Sequence, residues 1–431
     1  MSPTIFSGKW ALIPARKLLS GVSFLVFLVL DFCDAILCVL YRFVDGFLEG
    51  KDSPCYCLKG EEQGRNVEGG DEEGEVSETL YGRKSFFRKL GLLELARKWE
   101  FSGKKDGGVT KIRWSDCQCE CCSSWMSNDD LKLHVSIREP SKVTTKNYKG
   151  KPAENVIFLH GFMSSSKFWT ETVFPNLSEP VKRRYRLFAV DLFGFGRSPK
   201  PRHSLYTLKD HMEMIEKSVI SPYQLDSFHL VAHSMGCVVA LALAAKHSKS
   251  VKSITLLAPP FFPSRDGDGM NVLGKVAGRL LWPPMLFGAA VMSWYEHIGR
   301  CVCFIVCRNH RIWEKMLKLF TWRSDLHFMI MDMTKHTHHS AWHSMHNVIC
   351  GGIKFTERYF QVLSDARVKI CVVQGDKDQV LPVECSKNIK ERVPNVEVSI
   401  VRGANHSTII LGREKEFTRY LEHIWASLAD S

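Results

Sequence analysis

The chain has 431 residues, 45% of them apolar and 24% charged, which is material for one large domain with an insertion or for two modest domains, with no need of a disulfide scaffold. The formal net charge of +12 suits anionic surfaces, but no Lys/Arg run with interleaved aromatics is present, so a nucleic-acid partner is not expected. The 15 cysteines are odd in number and lack the spacing of a small disulfide framework.

In chain order, Lys9, Arg16 and Lys17 precede an apolar run, Leu18–Leu30. The run has the length of a signal-peptide core and is short for a membrane span. Asp31 and Asp34 interrupt it before it resumes at Ala35–Tyr41. Acids near mid-membrane are costly. Residues 1–49 are expected to be a secretory signal or signal-anchor. The alternative is an amphipathic helix lying on a membrane or packing on the domain that follows. Residues 50–112 are expected to be a charged, disordered linker, because Glu61–Glu78 holds eight acids and four glycines with almost nothing to bury. A short amphipathic helix, Ser85–Trp99, is expected inside it. Next come Cys117, Cys119, Cys121 and Cys122. Read as C-x-C-x-C-C, this is not the paired C-x2–4-C spacing of zinc sites, so structural or oxidised cysteines are expected and no metal.

From Leu131 the pattern changes to strand–helix alternation. Leu131–Arg138 alternates as a half-buried strand does. Asn155–His160, Arg186–Asp191, Ser227–His233, Lys252–Ala258, Val368–Gln374 and Val396–Val401 are near-continuous apolar runs, as in parallel strands covered on both faces. Helical patterns follow at Thr207–Ile220, Gly236–His247, Glu384–Val393 and Arg413–Leu428. The expected fold is α/β, a mostly parallel doubly wound sheet, over residues 113–431. Residues 261–365 break the rhythm and are rich in Trp, Met, Phe and His. They are expected to form an inserted helical cap, whose apolar content suits a pocket for acyl chains. His336, His339, His343 and His346 share one helical face there. No carboxylate accompanies them, so a polar stripe lining the cavity or packing on the domain is expected rather than a metal site.

A serine hydroxyl needs a base, a group that orients the base, and donors for an oxyanion. Ala232-His233-Ser234-Met235-Gly236 ends a predicted strand and opens a helix. It is a G-x-S-x-G turn with Ala in the first glycine position, and it makes Ser234 the candidate nucleophile. Asp378 lies in the loop after the Val368 strand and is the preferred acid; Asp376 in the same loop is the alternative. His406 follows the last strand and is the candidate base. The order Ser, Asp, His is the one this fold uses. His160-Gly161-Phe162 follows another strand, and the amides of Phe162 and Met235 are candidates for the oxyanion site. Asp191–Ser198, with its glycines, is read as a structural loop beside the site. No cofactor is expected, and nothing in the sequence sets the oligomeric state.

These stretches, with RWSDCQCECCSSW, HGFMSSSKFWTETVFPN, FHLVAHSMGC, WPPMLFGAAVMSWYEHI and HTHHSAWHSMHN, resemble the plant BODYGUARD-type α/β hydrolases, which are described as lysophospholipases linked to cuticle formation. The resemblance spans nearly everything from Arg113 onward. It implies a serine hydrolase of lipid or lysolipid acyl esters, with Ser234, Asp378 and His406 as catalytic residues and His160 carried along as a site residue. It also implies action at a membrane or cell-wall surface, reached by the secretory pathway. A lipid on an N-terminal cysteine, Cys55 or Cys57 with Cys33 and Cys38 behind them, belongs to the same implication. Two other readings fit the residues: a transacylase that passes the acyl group to an alcohol, and an acyl-lipid-binding protein with an unused triad.

Overall fold

The structure is a computed structural model that describes residues 9–49, 56, 76–81, 87, 112–126, 131–141, 154–263 and 268–428, with side chains from residue 19. Seven strands form one sheet: β1 (Val135–Arg138), β2 (Glu154–Leu159), β3 (Tyr185–Val190), β4 (Phe228–His233), β5 (Val251–Leu257), β6 (Lys369–Gly375) and β7 (Glu397–Val401). The order is β1-β3-β2-β4-β5-β6-β7. β1 pairs antiparallel with β3, and every other pair is parallel. The central strands are covered on both faces, and all six residues of β4 are buried. That double burial is why they read as continuous apolar runs.

A long helix, α1 (Lys9–Glu49), precedes the sheet, and a short one, α2 (Glu120–Met126), carries the cysteine segment. α3 (Leu208–Ile215) starts at Thr207, whose Oγ1 accepts the Asp210 N–H at 3.1 Å while Asp210 Oδ2 accepts the Thr207 N–H at 2.9 Å. This reciprocal pair satisfies two of the helix's unpaired donors. α4 (Met235–Lys246) is buried on nearly every face and fills the centre of one layer.

Between β5 and β6 the described chain is helical: α5 (Gly269–Val276), α6 (Pro284–Trp294), α7 (Glu296–Ile305), α8 (His310–Thr321), α9 (Phe328–Asp332), α10 (His338–His343) and α11 (Thr356–Asp365). The cap is narrower than 261–365, however. Phe261, Val272, Leu273, Met345, Val348, Ile353, Phe360 and Leu363 are buried in the sheet's own core. Helical periodicity reports an apolar face but not the layer on which it packs. α12 (Val383–Arg392) and α13 (Glu414–Ser427) complete the domain.

Most of the expected linker lies outside the described residues, as does all of the expected 85–99 helix except Phe87. Its described part is anchored. The Ser77 N–H donates to Asn347 Oδ1 at 2.9 Å, the Gly269 N–H to Glu78 Oε1 at 2.8 Å, and Thr79 Oγ1 meets His346 Nδ1 at 2.7 Å. Leu80 and Tyr56 are buried against Trp342. Composition is averaged over a window, and a six-residue turn with two good apolar contacts disappears in it.

Candidate active site

β4 delivers the chain to Ser234 and α4 leads it away. The reversal forces Ser234 to φ 54° and ψ −121°, a strained conformation for a non-glycine residue. The Ser234 N–H is held by the Leu257 carbonyl at 2.9 Å. Gly236 is required by space: a Cβ there would lie 2.5 Å from the His160 carbonyl oxygen. Ala232, by contrast, sits fully buried in β4 among core residues, so its methyl is accommodated.

Three loops converge on this turn. His406, after β7, places Nε2 at 3.0 Å from Ser234 Oγ. Its Nδ1 is 2.8 Å from Asp378 Oδ2 in the loop after β6. Asp378 has further partners: Oδ1 accepts the N–H groups of Val380 and Leu381 at 2.8 and 2.9 Å, and Oδ2 accepts from Gln374 Nε2 at 3.1 Å. Burial alone would raise its pKa. The hydrogen bond and charge of His406, with the two amides, outweigh burial and hold the carboxyl below its ordinary range. Asp376 points elsewhere and accepts the Gly403 N–H at 2.6 Å, closing the neighbouring turn. A hydroxyl, an imidazole and a buried carboxylate in series can transfer a proton from the hydroxyl as it attacks a carbonyl, with the carboxylate fixing the imidazole tautomer.

Met235 opens α4, so its N–H has no intrahelical acceptor and lies at the positive end of the helix dipole. Gly161 brings the Phe162 backbone alongside: a Cβ at Gly161 would lie 3.1 Å from Ser234 Cβ. The Met235 amide therefore follows the serine directly, and the Gly161 turn that leads into Phe162 borders it. His160 does not. It is fully buried, its Nε2 accepts the Leu192 N–H at 2.9 Å, and its Nδ1–H donates to the Gly161 carbonyl at 2.7 Å. Burial lowers its pKa, so it is neutral and both ring nitrogens are engaged. It was expected at the substrate site; it instead joins the turn after β2 to the loop after β3. That loop is structural, with Asp191 accepting the N–H groups of Ser166 at 2.5 Å and Arg197 at 2.7 Å.

The α/β hydrolase fold family model matches residues 154–279. Across 95% of this chain and 97% of the relative, the sequence is 54% identical to Probable lysophospholipase BODYGUARD 4 of Arabidopsis thaliana. Identity to Probable lysophospholipase BODYGUARD 5 of the same plant is 48%, over 94% of each chain. The chain belongs to the BODYGUARD family of α/β hydrolases. Among solved structures, a bromoperoxidase from Bacillus anthracis aligns at 16% identity over 68% of this chain and 96% of that chain, with a TM-score of 0.45.

Two residues of this candidate site in the BODYGUARD-family chain were not foreseen. His233 donates from Nε2 to the His406 carbonyl at 3.0 Å, and its ring stacks on Phe168 with centroids 4.9 Å apart. Burial first, then the neighbouring His406, pushes its pKa down to about 3, so it is a neutral strut for the base's loop. Gln374 ties Asp378 to the Leu381 carbonyl (3.0 Å) and accepts from Ser386 Oγ at 3.1 Å. A glutamine at the end of an apolar strand was a usable signal; the x of A-x-S-x-G was not. The histidine stripe meets both parts of its expectation: His339 bonds the Ser204 carbonyl at 2.8 Å and His343 the Tyr56 hydroxyl at 2.9 Å, and His339 also lines a small cavity with Arg113 and Arg300. The cap's apolar content differs from expectation: much of it faces outward, with Trp322 92%, Trp282 72% and Phe320 71% exposed.

Proposed function

We propose that the protein is a serine carboxylic-ester hydrolase of lysophospholipids or related lipid esters. The observation that carries this is the Ser234–His406–Asp378 hydrogen-bond series at 3.0 and 2.8 Å on a strained strand-to-helix turn. In this reading Ser234 Oγ attacks the acyl carbonyl as His406 Nε2 takes its proton. Asp378 stabilises the imidazolium, and the Met235 and Phe162 amides hold the oxyanion. His406 returns the proton to the leaving alkoxide. Water, deprotonated by His406, then releases the fatty acid. The relatives' names support the lysophospholipid class. A fluorophosphonate probe on the full-length protein tests the chemistry: labelling is expected to depend on Ser234, and an unlabelled but folded wild-type protein would falsify it. Free fatty acid released from lysophosphatidylcholine tests the substrate class. An acylated alcohol as the main product would mark a transacylase instead.

The same reading places the enzyme on a membrane surface with α1 retained. α1 is by length and composition apolar enough to cross a membrane over Leu19–Glu49. Yet Phe27, Asp34, Cys38, Tyr41 and Asp45, spaced as one helical stripe, turn inward. Phe27 packs with Ala290 and Tyr295. Asp34 Oδ1 accepts the N–H groups of His297 and Ile298 at 2.9 and 3.0 Å, at the start of α7. Asp45 takes two bonds from Arg300, at 2.6 and 2.7 Å, and one from Trp114 Nε1 at 2.6 Å. A membrane span needs about 20 residues surrounded by hydrocarbon. Here the cap side grips the helix at successive turns from Phe27 onward, and the acids that would be costly in lipid are its grips. The opposite face exposes Phe24, Leu25, Val29, Phe32, Ile36, Leu40, Phe43 and Phe47. An apolar outer face on a docked helix suits an in-plane anchor in a lipid surface. Action at the epidermal wall in cuticle formation, and arrival there by secretion, are the finer parts of this reading. Cys55 and Cys57, the candidate lipidation sites, lie outside the described residues; Cys33 is exposed and Cys38 buried. N-terminal sequencing of the mature protein tests retention: a start beyond Asp45 would remove every grip named above.

A further inference from the structure

The cysteine segment folds so that Cys119 and Cys122, a C-x2-C pair that C-x-C-x-C-C conceals, face one imidazole. Cys119 Sγ and Cys122 Sγ each lie 3.5 Å from His310 Nε2, at the start of α8. Cys117 joins them, and the four donor atoms all fall within 4.8 Å of one another. On the other side of the ring, His310 Nδ1 is 2.8 Å from Glu314 Oε1, one turn along the helix. A carboxylate partner fixes the tautomer: Nδ1–H donates to Glu314 and Nε2 presents a lone pair to the sulfurs. A carboxylate behind an imidazole is the usual support of a metal-binding histidine. Hydrogen bonding alone serves this arrangement poorly, because one lone pair faces two thiols with a third beside them. Tetrahedral zinc, with bonds of about 2.3 Å to sulfur and about 2.0 Å to nitrogen, spaces S and N about 3.5 Å apart.

We propose that Cys117, Cys119, Cys122 and His310 bind one zinc ion, which clips the segment preceding the sheet to helix α8 of the cap. Three thiolates and one imidazole make a closed, soft donor set with no position for substrate, so the role is structural. The clip reinforces a junction already made by Trp114 on Asp45 and by Arg300 Nε donating to Ser115 Oγ at 3.2 Å. The ion would therefore fix the cap and α1 together, independently of the catalytic reading. A neighbouring trio, Cys303, Cys307 and His336, has S···N distances of 3.6 and 3.7 Å. It offers three donors among the described residues, and His336 Nδ1 has no hydrogen-bond partner. The four-donor set, with its oriented histidine, is the one assigned.

The rival chemistry is a disulfide, and Cys121 Sγ lies 3.3 Å from Cys119 Sγ. The test uses full-length protein in detergent, purified without metal-affinity resin or chelator, with zinc per chain measured by plasma mass spectrometry. Cys119→Ser/Cys122→Ser and His310→Ala are each expected to hold one equivalent less than wild type. The readout is that difference, so any ion at Cys303 and Cys307 cancels. Glu314→Gln leaves all four ligands in place and is expected to weaken zinc about 10–100-fold in chelator competition. On wild type itself, Cys117, Cys119 and Cys122 are expected to resist alkylation until zinc is removed and then to react as free thiols. Equal zinc in wild type and the ligand variants, a different metal at the site, or these cysteines recovered as disulfides would each overturn the proposal.

Discussion

The strand-end region around Ser234 and the cap side around α1 are built in opposite ways. At the strand ends each candidate catalytic side chain follows a parallel strand, so topology converges residues far apart in sequence. Ser234 follows β4, Asp378 follows β6 and His406 follows β7. On the cap side no sheet enforces convergence. Individual polar side chains do it: Asp34 on the start of α7, Asp45 on Arg300 and Trp114, and Glu49 on Arg202. The first design tolerates change in everything except a few atoms. The second depends on buried charge pairs, in which losing one partner strands the other. Mutations should therefore separate the regions: chemistry lost with folding intact on one side, folding lost first on the other.

The largest effects belong to the strand ends. Ser234→Ala is expected to lower kcat about a million-fold with the thermal midpoint nearly unchanged. Asp378→Asn is expected to cost about ten-thousand-fold, because the amide favours the wrong imidazole tautomer. Asp376→Asn should lie within a few-fold of wild type, since Asp376 serves the Gly403 turn; comparable losses at the two acids would refute this assignment. His233→Ala is expected to cost about a hundredfold by displacing the His406 loop. Gln at 233 retains a donor and should recover much of the loss, which a merely structural position would not show. Turnover of a soluble acyl ester reads all five variants.

The cap side should answer in stability. Arg300 and Asp45 are nearly fully buried, with side chains 6% and 1% exposed. Asp45→Ala alone is expected to cost about 3–5 kcal/mol in denaturant unfolding, because Arg300 is left charged and unpaired. Asp45→Leu/Arg300→Met should recover most of that. Turnover of soluble ester by the surviving folded fraction should stay near wild type. A large loss of kcat in that fraction would mean the two regions are coupled, and the comparison would fail.

The same contrast explains what was legible in the sequence. Apolar runs located all seven strands, most within a residue or two, and strand order plus loop position selected Ser234 and His406 from many serines and histidines. Depth in the loop favoured Asp378 over Asp376, and the coordinates add the reason, since the two carboxylates point to different partners, His406 and the Gly403 N–H. His160 looked like a site residue because it adjoins the Gly161 turn, but its ring is committed to Leu192 and Gly161. The inward stripe of α1 was hidden by hydropathy: Asp31 and Asp34 read as interruptions of a span, whereas Asp34, like Asp45 further along, is an attachment. Cap tryptophans and phenylalanines announced an apolar surface without saying which way it faced. Glu314 had no reason to be noticed, since its partner His310 matters only once the cysteine segment lies against it.

The smallest effect per residue is acid sensitivity, and it samples both regions. Burial is the main cause of depressed pKa values, each about 3, at His233 beside the triad, at His343 in the cap and at His211 on α3. An unfolded histidine titrates near 6.5. Between about pH 6.5 and pH 3 the unfolded chain therefore binds more protons at these positions, so stability rises with pH and falls on acidification. Each residue contributes up to about 1.4 kcal/mol per pH unit in that window. His160, His229, His338 and His339 are displaced in the same direction. His336 is displaced upward: burial lowers its pKa, but the Cys307 thiolate outweighs burial, so its share acts with the opposite sign and is lost as pH rises. Denaturant midpoints at pH 7, 6 and 5 should fall steadily. His343→Gln and His233→Gln should each flatten the slope by similar amounts, because a buried neutral imidazole costs the same wherever it sits. A slope that survives both substitutions unchanged would place the acid sensitivity in neither region.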